Sequence, residues 1–197
     1  MYSPEKNPEK SVYDFAKIGG VVSALFGIFA IIGWTAKIYF LTAIKPFYIP
    51  MAPSTALFFI ILGLAAAFHR RLFKNQTLKR LAILAACLLL VLALILMILS
   101  AKGVRLDIEH LGMKIQGSIF GADMGHMSPL TGFCFALAAL SFILLALFWG
   151  KRIFYPFLAL LPTLLLLLFS VILLVAYFLG GPLLYGSPFI PPALTTP

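Results

Sequence analysis

The side chains of this chain that could carry out chemistry are gathered between two long apolar runs. Asp107, Glu109, His110, Asp123 and His126 combine two imidazoles with three carboxylates, a set that can bind a divalent metal. Their spacing matches no metal-binding signature, and the glycines among them loosen the segment. We therefore predict no metal site, no cofactor and no catalytic residue in this chain. His126 stays a candidate contact for a small ligand.

The apolar residues of the same segment favour a structural interpretation. Ile108, Leu111 and Ile115 follow helical spacing, with Leu106 and Phe120 nearby, although Gly112 weakens the pattern. The sequence predicts a short helix that lies on a membrane surface and keeps its charged side chains in water.

The composition explains why a membrane is expected. Of the 197 residues, 62% are hydrophobic and only 11% are charged, whereas soluble domains are nearer half apolar and a quarter charged. The formal net charge of +9 comes from Lys and Arg scattered between apolar runs, with no basic stripe and no base-stacking motif. This pattern excludes nucleic acid as a partner and predicts a lipid bilayer instead.

Five apolar stretches predict an all-α, polytopic transmembrane bundle. They cover residues 18–36, 52–68, 81–99, 130–149 and 153–179, and the second is the shortest. Residues 1–17 are polar and are predicted to form a mobile tail before a transmembrane domain at 18–197. No charged residue interrupts the core of any stretch, which argues against ion-coupled transporters, pumps and intramembrane enzymes.

Basic residues predict the orientation. The segment between the second and third stretches carries Arg70, Arg71, Lys74, Lys79 and Arg80 without an acid. Because cytoplasmic loops are enriched in Lys and Arg, this segment and the N-terminus are expected on the cytoplasmic side of the membrane. Residues 102–127 are then external.

A repeated motif marks the start of two helices. The run Met51-Ala52-Pro53-Ser54-Thr55 reappears as Met127-Ser128-Pro129-Leu130-Thr131, and residues 190–196 echo it a third time. The third copy predicts the start of a sixth helix. Proline at the first helical position and hydroxyls in the first turn favour helix capping. The alternative is that Thr55 and Thr131, with His126, border a ligand pocket.

Small residues predict close helix packing. Gly19, Ser23 and Gly27 recur every four residues, a spacing that lets two helices approach. The stripe is interpreted as packing within the bundle, with a homodimer as the alternative. Cys87 and Cys134 fall at different depths and are not expected to form a disulfide.

The two motif copies also resemble a known group. Met51 to Leu57, followed by Ile61-Leu62-Gly63-Leu64, and His126 to Thr131 look like the N-terminal membrane sensor regions of bacterial signalling proteins. In that group such multi-helix regions precede PAS, histidine-kinase or diguanylate-cyclase domains. Two features depart from the group: Gly132-Phe133 replaces Ala-Leu in the second copy, and this chain contains no cytoplasmic output domain.

The resemblance implies a sensory input region, as in two-component signal transduction, that performs no catalysis of its own. A small ligand or a membrane change would be the stimulus. The alternative is a small transporter or channel subunit for an apolar or uncharged solute. A membrane enzyme acting on lipid is the weakest interpretation, because the sequence offers no catalytic pair.

Overall fold

The fold is an all-α helical bundle, as predicted. The computed structural model describes residues 8–43, 49–113, 115, 118–119, 122–149 and 154–178. The helices are α1 (Pro8–Thr35), α2 (Pro53–Ala67), α3 (His69–Lys74), α4 (Gln76–Ala101), α5 (Pro129–Phe148) and α6 (Phe154–Phe178). Single 3-10 turns cover Tyr39–Leu41 and Asp107–His110, and the two-residue strands Ser118–Ile119 and Ala122–Asp123 pair in antiparallel.

Four of the helices in the described part of the chain are long and apolar enough to cross a membrane. They are α1 from Tyr13 to Thr35, α4, α5, and α6 between Phe157 and Ala176. The prediction of five full spans is wrong for the second stretch, because α2 has 15 residues and is only about 22 Å long. The polar residues that follow Phe68 end its apolar run, and the chain continues as the short α3.

The predicted polar tail is also partly helical. Helix α1 begins at Pro8, so residues 8–17 extend the first span as a helix instead of forming a separate tail. Proline suits this first helical position because its missing N–H would have no partner there. Residues 1–7 and the third motif copy at 190–196 lie outside the described residues.

The bundle is built from two helix hairpins that repeat the same plan. In the first, α2 returns along α1, and in the second, α5 returns along α4. Phe59 and Phe135, which each lie eight positions after the methionine of a motif copy, meet between the hairpins: their rings lie edge to face, with centroids 5.1 Å apart. Helix α6 then packs on α5.

Glycine allows α1 and α2 to pack almost backbone to backbone. A Cβ added at Gly20 would lie 2.6 Å from the carbonyl oxygen of Gly63, and one at Gly27 would lie 2.4 Å from that of Ala56. Gly19 does not take part, because the space beside it is open. The close approach therefore uses Gly20, Gly27 and Gly63, which corrects the predicted stripe at its first member.

The two ends of the bundle differ in chemistry. We call the end where α2 and α5 begin, at Met51 and Met127, the Met-Pro end. The opposite end, where α2 passes into α3 and α4 begins, carries Arg70 to Arg80 and is called the basic end. Asn75 caps α4 there, since its Oδ1 accepts the N–H groups of Thr77 at 2.9 Å and Leu78 at 3.3 Å.

Candidate functional site

The Met-Pro end is organised around two buried methionines. Met51 and Met127 are each 1% exposed, and each carbonyl oxygen accepts a hydrogen bond from the preceding helix of its hairpin. Trp34, near the end of α1, donates its Nε1–H to Met51 at 2.7 Å. Ser100, near the end of α4, donates its hydroxyl to Met127 at 2.9 Å. The two copies are thus anchored in the same way by chemically different side chains.

A buried carboxylate ties the segment before α5 to the start of that helix. Glu109 is 4% exposed, and its Oε2 accepts the backbone N–H of Met127 at 2.6 Å. Its Oε1 accepts the Nδ1–H of His126 at 3.2 Å. Burying a carboxylate is costly unless both oxygens are hydrogen-bonded, and here they are.

A second imidazole completes this cluster. The rings of His110 and His126 have centroids 4.6 Å apart, and His110 covers Gly125, where an added Cβ would lie 2.9 Å from the ring. Gly125 has a φ of +87°, so glycine is favoured there for conformation as well as for space. The Nε2 of His110 is buried and has no hydrogen-bond partner among the described residues.

The loop differs from the predicted surface helix, because two of its polar side chains are buried, although Asp107 is exposed as predicted. Residues 107–110 form one 3-10 turn in place of a surface helix, with Glu109 and His110 inside and Ile108 74% exposed. Leu111 in the left-handed region and Gly112 at φ +80° end the turn. Glu109 faces inward and accepts the N–H of Met127, a contact that local apolar spacing does not reveal.

Metal binding finds no geometric support in the part of the chain that the structure describes. There, no group of three or more His, Cys, Asp or Glu side chains is placed to hold a metal ion. His126 and His110 face each other, but His126 is already directed to Glu109.

The predicted ligand contacts Thr55, Thr131 and His126 are all buried. Ser128 caps α5, because its Oγ accepts the N–H of Thr131 at 3.1 Å and lies 2.8 Å from the Thr131 hydroxyl. Thr55, in the first turn of α2, is 2% exposed. Its neighbour Ser54 is buried too, and the Ser54 hydroxyl has no partner among the described residues.

A groove of about 350 Å³ lies between the two hairpins, inside the apolar zone. Its walls come from α1, α2, α5 and α6. Gly19 and Ser23 of the predicted stripe face this groove, as does Thr131. Its size falls at the low end of ligand pockets, and its lining is mostly apolar with a few hydroxyls. The remaining lining residues are Gly20, Phe59, Leu62, Gly63, Ala66, Cys134, Phe135, Ala138, Phe142, Leu166 and Ser170.

The basic end is held by an aromatic cluster around His69. The His69 Nδ1–H donates to the carbonyl oxygen of Ala66 at 2.8 Å, and its ring packs edge-on against Tyr13, Phe73 and Trp149. The guanidinium of Arg70 lies 4.6 Å from the centre of the Tyr13 ring, within cation–π range. This cluster joins α1, α3 and the end of α5. His69 is thus a packing residue at this end of the bundle.

Sequence reasoning did not single out Trp34 and Ser100 as partners of the motif. They precede their methionines by 17 and 27 residues, so no common spacing marks them. Comparison with protein-family models, curated proteins and solved structures gives no significant match to this chain.

Proposed function

We propose that this chain is the membrane-embedded sensory input region of a bacterial signal-transduction protein. In this proposal it sits in the inner membrane with its N-terminus and basic end in the cytoplasm, and the Met-Pro end outside. A small ligand or a membrane change at the Met-Pro end is the stimulus. The output, a kinase or cyclase activity, belongs to another domain of the protein.

The observation that carries the proposal is the tie between Glu109 and Met127. It connects a loop at one end of the bundle to the first residues before α5, which runs to the aromatic cluster at the basic end. Any ligand that changes the packing of the Glu109 turn would also bias the position of α5. A signal passes through a protein in this way when a ligand binds two packing states unequally.

The groove between the hairpins supports the second candidate, a carrier or channel subunit for an apolar or uncharged solute. Its lining offers hydroxyls and no charged group. An ion-coupled mechanism is disfavoured, because the apolar cores of the helices carry no ionisable Asp, Glu, Lys, Arg or His.

The natural coding sequence beyond the codon for Pro197 is the first test. Continuation into a kinase or cyclase domain supports the sensory proposal, whereas a stop codon after further apolar helices overturns it in favour of transport. Solute flux into proteoliposomes then tests the transport candidate directly.

The second test compares two charge-removing variants of the full-length protein in membrane vesicles. Glu109→Gln is expected to change the output activity, because it weakens the tie to α5. Asp107→Asn removes a carboxylate from the same turn, but Asp107 is exposed, so the output should match that of the parent. Equal output from both variants and the parent would contradict the proposed route through Glu109.

A further inference from the structure

Helices α2 and α5 begin with copies of the same motif, but their first turns are satisfied differently. The N-cap of α5 is Ser128, at φ −71° and ψ 152°, and its hydroxyl accepts the N–H of Thr131. The N-cap of α2 is Ala52, at φ −62° and ψ 144°. The backbone at the start of α2 thus has the geometry of a capped helix, but the side chain of its N-cap residue, Ala52, has no hydrogen-bond acceptor.

This uncapped end is buried. Ala52 is 3% exposed, Ser54 5% and Thr55 2%. The first helical N–H that bonds within α2 is that of Ala56, which reaches the carbonyl oxygen of Ala52 at 3.0 Å. The N–H groups of Ser54 and Thr55 come before it and have no acceptor of their own in the helix. The side chain of the N-cap residue Ala52 does not cap them. A buried helix end without acceptors is costly, so an external acceptor would stabilise it.

Two buried polar side-chain atoms lie at the same end of the bundle. The hydroxyl of Ser54, in the first turn of α2, has no partner among the described residues, and neither does the Nε2 of His110. The turn Asp107–His110 that carries His110 packs against α2. Both side chains are at least nine-tenths buried. Both are therefore polar groups that ordinarily require a hydrogen-bond partner.

We propose that the N-terminus of α2 is a binding site for a small anion, either a free ion or the carboxylate of a small molecule. The N–H groups of Ser54 and Thr55 and the hydroxyl of Ser54 would hold it. The helix dipole adds partial positive charge at this end, which favours an anionic acceptor over a neutral one. As the ligand class of the sensory region, this anion rests on the function proposed above.

The charges around the site are compatible with an anion. Helix α2 carries no charged side chain from Pro53 to Ala67. In the adjoining turn, Asp107 is exposed, and both oxygens of Glu109 already accept hydrogen bonds from His126 and Met127. Neither acid of that turn therefore presents a buried, unpaired carboxylate to the α2 N-terminus.

Thermal unfolding of the full chain in detergent tests the site. Sodium formate and sodium chloride are titrated separately, with sodium methanesulfonate keeping the ionic strength constant. We expect a saturable rise in Tm of about 2–4 °C for the parent, as for a ligand that binds only the folded state. A response to formate alone assigns a carboxylate ligand, and a response to both salts assigns a free anion. No response to either salt overturns the proposal.

The variant Ala52→Ser provides the matched control, because it copies the cap that α5 already has. Its hydroxyl should occupy the place of the anion, so this variant should have a higher Tm than the parent without added salt and should not respond to either anion. Ser54→Ala should weaken the apparent affinity about tenfold, as expected for one lost hydrogen bond to a charged group. A response in Ala52→Ser equal to that of the parent would place the anion elsewhere and refute the site.

These measurements test the anion site independently of the proposed sensory function. They record binding without any signalling output, so they can be positive even if the coding sequence contains no output domain. In that case the anion site stands and only the sensory role is lost. If Ser54→Ala does not fold, Ala52→Ser decides the outcome alone, since it removes no existing hydrogen bond.

Discussion

The carboxylate of Glu109 accepts the backbone N–H of Met127 at 2.6 Å, across 18 positions of sequence. This contact closes the loop between α4 and α5 onto the start of α5. Met127 is at the same time fixed through its carbonyl oxygen by Ser100. Both polar groups of one buried peptide segment are thus held by side chains, one from the loop and one from the end of α4.

Removal of this acceptor should destabilise the bundle. Glu109→Ala leaves the N–H of Met127 buried without a partner, at an expected cost of about 1–3 kcal/mol in the free energy of unfolding. Glu109→Gln keeps an oxygen that can accept the same N–H and should cost less. Denaturant unfolding in detergent measures both values. Equal losses in the two variants would show that the charge of Glu109, and not its role as acceptor, stabilises the loop.

The glycines of α1 offer a matched pair of substitutions at adjacent positions. Gly20→Ala should push α2 away, because its Cβ would lie 2.6 Å from backbone atoms of Gly63 and Ala67. Such overpacking typically costs about 1–3 kcal/mol. Gly19→Ala should be neutral or slightly stabilising, since the new methyl group meets nothing within 4 Å and alanine favours the helix. Thermal unfolding of the two variants compares them, and a lower Tm for Gly19→Ala than for Gly20→Ala would contradict the helix contact described.

The stripe on α1 illustrates how far a local pattern determines packing. The four-residue spacing of small residues in α1 correctly identified Gly27 as a packing residue. The surface that contacts α2, however, includes Gly20 instead of Gly19. At about 100° per residue, seven positions leave a residue only about 20° from the starting face, whereas eight leave it about 80° away. The partner glycine, Gly63, lies on another helix and follows no pattern within α1.

The apolar runs allowed the helical class and the approximate positions of the helices to be predicted. The loop before α5 could not be predicted in the same way, because Glu109 and His110 are buried through contacts with residues that are distant in the sequence. Glu109 and His110 pack inward toward the groups of Met127 and Gly125, while Ile108 points outward. Apolar spacing had predicted that Glu109 and His110 would lie in water. The anchors Trp34 and Ser100 were missed for the same reason.

The proposed orientation predicts which face of the membrane exposes Asn75. In a Cys87→Ser and Cys134→Ser background, Asn75→Cys should be labelled by an impermeant maleimide only after cells are opened, because the proposed orientation puts its basic neighbours in the cytoplasm. Asn75 lies in the link between α3 and α4 and is exposed. Gly103→Cys, on the external side of α4, is the matched position and should react in intact cells. Labelling of Asn75→Cys from outside would reverse the topology.

The hydroxyl of Thr55 tests whether the motif only caps helices or also contacts a ligand. Thr55→Ser keeps the hydroxyl and should be nearly silent, whereas Thr55→Val keeps the shape, removes the hydroxyl and should cost on the order of 1 kcal/mol in the free energy of unfolding. Thr131→Val is the matched change in α5, where the hydroxyl lies 2.8 Å from the cap Ser128. We expect both valine variants to lose some stability and to keep the output of the full-length protein, because the proposed anion contacts at α2 use the backbone of Thr55 and not its side chain. A Thr55→Val protein that unfolds like the parent but no longer answers its stimulus would show that this hydroxyl binds the ligand itself.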